Sequence, residues 1–237
     1  MGFLDFFDKD HEDSIFLKLI KSIKNNNINK FKKLLEKGDF LYKKDEDGFT
    51  LLHTAILEGN FEIVEMLMGK NIDIDTPAKN GHTPLSLATE EGYLDLVKKL
   101  LKVGAEIETY KDDLNSTFLH LAVDSENLEM VKFFLNKAID VNSLDSDGDT
   151  PFIIAASVGA LNILKYLVEN GANINILNKE NQNALHEAVY TGFLDVTQYL
   201  VELGIDRNIK NKSGQTPLDI ARESEWDDIV DYLESLS

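Results

Sequence analysis

The 237-residue chain has no cysteine, a single tryptophan and four prolines. Without thiols it can form no disulfide, thiolate zinc site or iron–sulfur cluster, and it has no cysteine nucleophile. Basic residues are scarce beside acidic ones, 24 against 42, and the formal charge is −18. Such a surface repels phosphate backbones, which argues against nucleic acid and for a basic or neutral partner. Solubility is the simpler use of the same charge. Long apolar runs are missing too. The longest uncharged stretch, Thr150 to Leu164, falls short of the roughly 20 apolar residues of a membrane helix and contains Pro151, Ser157 and Asn162. Asp5, Asp8, Asp10, Glu12 and Asp13 stand where a secretory signal would be basic and then apolar. The expectation is a cytoplasmic monomer with no membrane span and no export signal.

What is present is a period. Alanine recurs at Ala55, Ala88, Ala122, Ala155, Ala188 and Ala221, in steps of 33 or 34 residues. Three positions before each stands Leu52, Leu85, Leu119, Phe152, Leu185 or Leu218. Twelve positions after stands Leu67, Leu100, Phe134, Leu167, Leu200 or Leu233. Within 80–112, a turn at Asn80-Gly81 precedes Thr83, a helix-capping residue, and Pro84 suits the first helical position. Gly92 separates this short helix from a second one with Leu94, Val97, Leu100 and Leu101 on one stripe, and Gly104 ends it. Neither helix can bury its stripe alone, so units of this kind must stack.

Gly81-His82-Thr83-Pro84-Leu85, Leu51-Leu52-His53-Thr54-Ala55, Gly148-Asp149-Thr150-Pro151-Phe152 and Gly214-Gln215-Thr216-Pro217-Leu218 resemble the turn and first helix of the ankyrin repeat. Asn170-Gly171-Ala172-Asn173-Ile174-Asn175 and Val103-Gly104-Ala105-Glu106-Ile107 resemble its second-helix exit. The resemblance implies an all-α solenoid of helix-turn-helix units joined by β-hairpin-like loops, with six recognisable units starting near 47, 80, 113, 147, 180 and 213. The expected organisation is an acidic, aromatic segment over 1–13, a degenerate unit over 14–46, five repeats over 47–212 and a capping repeat over 213–237. In that cap Glu223, Glu225, Asp227, Asp228 and Glu234 replace apolar residues. The unit at 113–146 has an extra residue around Leu114-Asn115-Ser116 and lacks the glycine found at Gly48, Gly81 and Gly148, so its hairpin tip is expected to be distorted.

No constellation supports catalysis. His186-Glu187 opens like the zinc-protease helix motif, but the second histidine would fall at Tyr190. His53, His120 and His186 share one repeat position, where the resemblance implies a hydrogen bond to the neighbouring hairpin backbone. Asp145-Ser146-Asp147-Gly148-Asp149 begins like a calcium loop, yet its sixth and twelfth positions are Thr150 and Ala156. Acidic pairs such as Glu90-Glu91 lack the opposed, partly buried placement that hydrolysis needs. No enzyme, cofactor or metal is expected. Phe3, Leu4, Phe6 and Phe7 cluster near the amino terminus, either packing over the first unit or docking elsewhere.

The resemblance implies a scaffold or adaptor that binds another protein on a concave face built from hairpin tips and first helices. Its variable binding positions, carried over by register, are Phe49, Leu57 and Glu58; His82, Glu90 and Glu91; Asp124 and Ser125; Asp149, Ser157 and Val158; Gln182, Tyr190 and Thr191; Gln215 and Glu223. Phe49, Leu57, Val158 and Tyr190 are the expected anchors. Glu58, Glu90, Glu91, Asp124, Asp149 and Glu223 make the face acidic, with Lys79, Lys179 and Lys212 at its rim. An alternative use of that charge is an inhibitor or decoy for a basic, nucleic-acid-binding protein.

Overall fold

In the computed structural model the described residues are 3–70, 72–107 and 114–236, with side chains described from residue 13 onward, and no strand occurs among them. The chain forms two compact units. Unit Met1–Asp112 holds α1 (Phe3–Lys24), α2 (Ile28–Leu35), α3 (Leu51–Leu57), α4 (Phe61–Met68), α5 (Pro84–Glu90) and α6 (Leu94–Lys102). Unit Asp113–Ser237 holds α7 (Phe118–Asp124), α8 (Leu128–Leu135), α9 (Pro151–Ser157), α10 (Leu161–Glu169), α11 (Ala184–Thr191), α12 (Leu194–Glu202), α13 (Pro217–Glu223) and α14 (Asp227–Ser235).

From α3 onward each first helix starts at an extended Thr or Asn whose side chain caps a backbone N–H. Thr50 accepts from His53, Thr83 from Ser86, Thr150 from Ile153, Asn183 from His186 and Thr216 from Asp219. Pro84, Pro151 and Pro217 open their helices where no intrahelical N–H bond is needed. These helices have seven or eight residues, too few to persist alone in water. Packing supplies the rest. Ala55, Ala88, Ala122, Ala155, Ala188 and Ala221 are fully buried, and their small side chains let α5 lie against α3 in the first unit, and α7, α9, α11 and α13 lie side by side in the second. Leu67, Leu100, Phe134, Leu167 and Leu200 on the second helices are buried as well, each contributing about 2 kcal/mol of apolar burial.

The hairpin tips are tied to one another by backbone bonds. Lys79 N donates to Asp47 O at 2.9 Å, Lys179 N to Asp147 O at 2.8 Å and Lys212 N to Glu180 O at 2.9 Å. Gly48 has a φ of +87°, and a Cβ there would lie 2.8 Å from Lys79 N, so glycine serves both the turn and the close approach. The distortion expected around Leu114-Asn115-Ser116 is not found from Leu114 onward. Asn115 takes a φ of 53° in glycine's place, as asparagine can, and Ser146 N still donates to Leu114 O at 2.5 Å. Residues 108–113 lie outside the described residues.

Both ends depart from the repeat. Helix α1 has 22 residues and runs across the boundary expected at 13/14, burying Ile15, Phe16, Leu19 and Ile23 against α2 and α3. The side chains of Phe3, Leu4, Phe6 and Phe7 lie outside the described residues. At the other end α14 packs on α12 and α13 through Ile229 and Leu233 and leaves Asp227, Asp228 and Glu234 exposed. Deleting 213–237 therefore uncovers Val196 and Leu200, now fully buried. The truncated chain is expected to self-associate and to lose stability, read by light scattering and urea titration; a monomer of unchanged stability would remove the capping role.

Candidate functional site

Four of the described hairpin tips are built around one Asx side chain. Asp45 Oδ1 accepts from Asp47 N at 3.0 Å and Phe49 N at 2.8 Å, and Asp145 Oδ1 from Asp147 N at 2.9 Å and Asp149 N at 2.8 Å. Asn178 and Asn211 do the same for Gln182 N and Gln215 N. The acidic run at 145–149 thus serves its own turn. Among the described residues no three metal-binding side chains converge, and no helix is long and apolar enough to cross a membrane.

Two buried histidines, on α3 and α7, join their first helix to the next tip. His53 Nδ1 accepts from Thr50 N at 3.1 Å while Nε2 meets His82 O at 3.2 Å. His120 repeats this with Thr117 N at 3.0 Å and Asp149 O at 3.2 Å. This geometry assigns the neutral Nε2–H tautomer, because a protonated Nδ1 could not accept. His186 keeps the first half of the pattern, its Nδ1 accepting from Asn183 N at 3.2 Å, but its buried Nε2, near the carbonyls of Gln215 and Ile209, makes no well-formed hydrogen bond. Burial lowers its pKa.

In the first unit, the positions carried over by register gather on the tips and first helices. Phe49 is half-buried, its ring 5.5 Å from that of His53. Leu57, Glu58 and Glu91 are exposed. His82 Nδ1 and Glu90 Oε1 come within 3.1 Å, so two expected contact residues meet each other. In the second unit Asp124, Tyr190, Thr191 and Glu223 are exposed, with Tyr190 at 65%. Asp149 accepts from Asn178 Nδ2 at 2.9 Å, and Asn178 also lies 3.4 Å from Gln182 Oε1. Gln215 donates to Glu223. Ser125, Ser157 and Thr191 turn their hydroxyls onto carbonyls of their own helices, at 3.1, 2.9 and 2.9 Å, and Val158 is half-buried.

Several charges on the second helices are paired. On the second helices Lys32 pairs with Glu62 at 3.2 Å, Lys99 with Glu65 and Lys132 with Glu129 at 2.5 Å. Lys132 and Lys165 also lie over the rings of Tyr166 and Tyr199, at 5.8 and 5.5 Å. Lys212 pairs with Glu180 at a tip, 3.4 Å away. None of Glu58, Glu90, Glu91, Asp124, Asp149 and Glu223 has a lysine or arginine partner among the described residues. Burial raises the pKa of Asp149, helped by Asp145 and Asp147 and opposed by the Asn178 hydrogen bond. One acid escapes the register argument. Glu187 on α11 is half-buried, and its pKa is pushed up to about 6 by burial and by Asp149; the signal in the sequence is a carboxylate where other units carry Leu, Ile or Thr.

A family model described as ankyrin repeats (3 copies) matches residues 19–111 and 108–178, and one described as ankyrin repeats (many copies) matches 167–221. The chain is 35% identical over 132 residues to alpha-latrotoxin-Lg1a of Latrodectus geometricus, covering 54% of this chain and 10% of that protein. It is 29% identical over 130 residues to Rabankyrin-5 of Mus musculus, covering 54% and 11%. Over 125 residues it is 28% identical to the fowlpox virus ankyrin repeat protein FPV223, covering 53% of this chain and 86% of that protein. It spans 22% or less of the length of two further curated relatives.

Burial holds His53 down at about 4, against 6.5 for a free imidazole. A histidine depressed in the folded state contributes stability that is complete above the unfolded value and lost as pH falls from about 6.5 to about 4. Acidification over that window is expected to remove up to about 3 kcal/mol through this residue. Urea titrations of wild type and His53→Gln across the window check it; equal pH slopes would show that His53 keeps an ordinary pKa.

Proposed function

The chain belongs to the ankyrin-repeat family, and from that premise we propose that it is a non-catalytic binding protein whose tip and first-helix face docks a basic protein or peptide. Stacked repeats of this kind are interaction modules, and their function resides in surface residues rather than in the fold. The observation that carries the reading is the set of acids on the tips and first helices that no lysine or arginine neutralises. Four lysines of the second helices, Lys32, Lys99, Lys132 and Lys165, are matched to neighbouring acids or aromatic rings, whereas three acids on the tips and first helices of each unit, Glu58, Glu90 and Glu91 in one and Asp124, Asp149 and Glu223 in the other, have no lysine or arginine partner among the described residues. A negative face with unmatched charge attracts a basic partner at long range and raises its association rate. The exposed side chains of Tyr190 and Leu57 offer apolar contact once it has docked.

Kinetics separate these roles. For a partner captured from the native source, raising salt from 0.1 to 1 M is expected to slow association, as the screening length falls from roughly 10 to roughly 3 Å. Glu90→Lys with Glu91→Lys acts in the same direction, while Tyr190→Ala speeds dissociation about tenfold or more. An acidic partner, or binding changed only by second-helix substitutions, would refute the reading.

A further inference from the structure

In the second unit the turn between first and second helices recurs every 33 residues, as Glu126-Asn127, Gly159-Ala160, Gly192-Phe193 and Glu225-Trp226. In the last two of these turns the second residue is an aromatic ring laid on the turn of the preceding layer. A Cβ on Gly159 would lie 2.7 Å from the Phe193 ring, and one on Gly192 would lie 2.7 Å from the Trp226 ring. Glycine is therefore needed beneath a ring for space as well as for its positive φ. One layer earlier both members of this pattern change. Glu126 takes the glycine's place with a φ of 51°, and Ala160 stands where Phe193 and Trp226 stand. A ring at 160 would meet the Cβ of Glu126 as closely as these rings would meet a Cβ on glycine, so the alanine goes with the glutamate.

The exchange leaves a cavity of about 380 Å³ at the place of the missing ring, within the range of about 300–1,000 Å³ of small-ligand pockets. Its lining includes the apolar side chains of Leu128, Ala160, Leu161 and Ile163 and the acids Glu126 and Asp195, with no lysine or arginine. Both acids are exposed, and neither pairs with a lysine or arginine among the described residues. The start of α10 at Ala160 has no side-chain cap, and a helix N-terminus carries about half a positive charge. Two full carboxylate charges outweigh it, so the cavity favours a cation.

We propose that this cavity receives a planar cationic side chain, the guanidinium of an arginine on a partner protein. The shape is given by the chain itself, since Phe193 and Trp226 are flat groups seated on the equivalent turns one and two layers further on. A guanidinium is flat and weakly hydrated and stacks on such surfaces, and it pairs with carboxylates as a phenyl ring cannot. Glu126 and Asp195 supply those carboxylates. The cavity lies at the end of α9 away from its hairpin tip, and the proposal does not rest on the reading of the first-helix face.

The test uses the full chain and backbone amide NMR. Benzamidine, a planar cation, is expected to shift the amides of residues 159–163 saturably, with a dissociation constant on the order of 10 mM, and N-acetylarginine amide to shift the same amides. Benzyl alcohol and benzoate keep the ring but replace the cation by a neutral group or an anion, and each is expected to bind about threefold or more weakly. Glu126→Gln and Asp195→Asn are each expected to weaken benzamidine about two- to fivefold. Glu126→Gly combined with Ala160→Phe restores a ring on a glycine, and is expected to keep the fold, read by circular dichroism, and to abolish the shifts. Benzyl alcohol or benzoate binding as tightly as benzamidine overturns the proposal, the first result assigning the cavity to an aromatic side chain and the second to an anion. Wild-type benzamidine affinity in both carboxamide variants, or in the folded ring-filled variant, overturns it too, as does the absence of any saturable shift at 159–163. Should the ring-filled variant not fold, the two carboxamide variants and the three ring probes decide the question alone.

Discussion

Each helical pair in this protein ends with an apolar stripe that only another pair can cover. First helices of seven or eight residues are below the length at which a helix persists in water, so they exist because Ala55, Ala88, Ala122, Ala155, Ala188 and Ala221 admit a neighbour at close range. The tip-to-tip bonds, such as Lys179 N to Asp147 O, and the histidine bonds, such as His120 to Asp149 O, connect the same layers a second and third time. One layer removed leaves the next exposed, which is why the charged outer surface of α14 matters to a helix it does not belong to.

Stacking also decides where charge can be used within the chain. Second helices lie beside one another at a spacing that long side chains bridge, so Lys32 finds Glu62 and Lys165 finds the ring of Tyr199. On the tips and first helices Glu58, Glu90, Glu91, Asp124, Asp149 and Glu223 have no lysine or arginine partner among the described residues, and acids cannot neutralise one another. A neutral partner such as Asn178, which donates to Asp149, orients the acid and leaves the net charge in place. The electrostatic character of the proposed binding face is thus a consequence of which residues the stack leaves unmatched.

Much of the fold was legible in the residues. The period of 33 or 34, the caps at Thr83 and Thr150, and the prolines that follow them are local signals, and they locate every helix from α3 onward because each unit repeats the same short-range chemistry. The histidine at the cap-plus-three position was readable through the family resemblance, and His53 and His120 make the bonds it implies. At the tip of the 113–146 unit, Asn115 takes the left-handed backbone that glycine takes elsewhere, while residues 108–113 of that tip lie outside the described residues.

By itself, then, the sequence determined the repeat, the short helices and the sign of the surface charge, since these depend on residue type and spacing along the chain. Only the tertiary structure decided how those charges are partnered. That Lys99 reaches Glu65, that Ser125 and Ser157 turn their hydroxyls onto their own helices, and that Glu187 sits half-buried beside Asp149 depend on distances between units and on solvent access. A carboxylate's behaviour is set by what surrounds it in three dimensions, and a linear register records neither burial nor the missing cation.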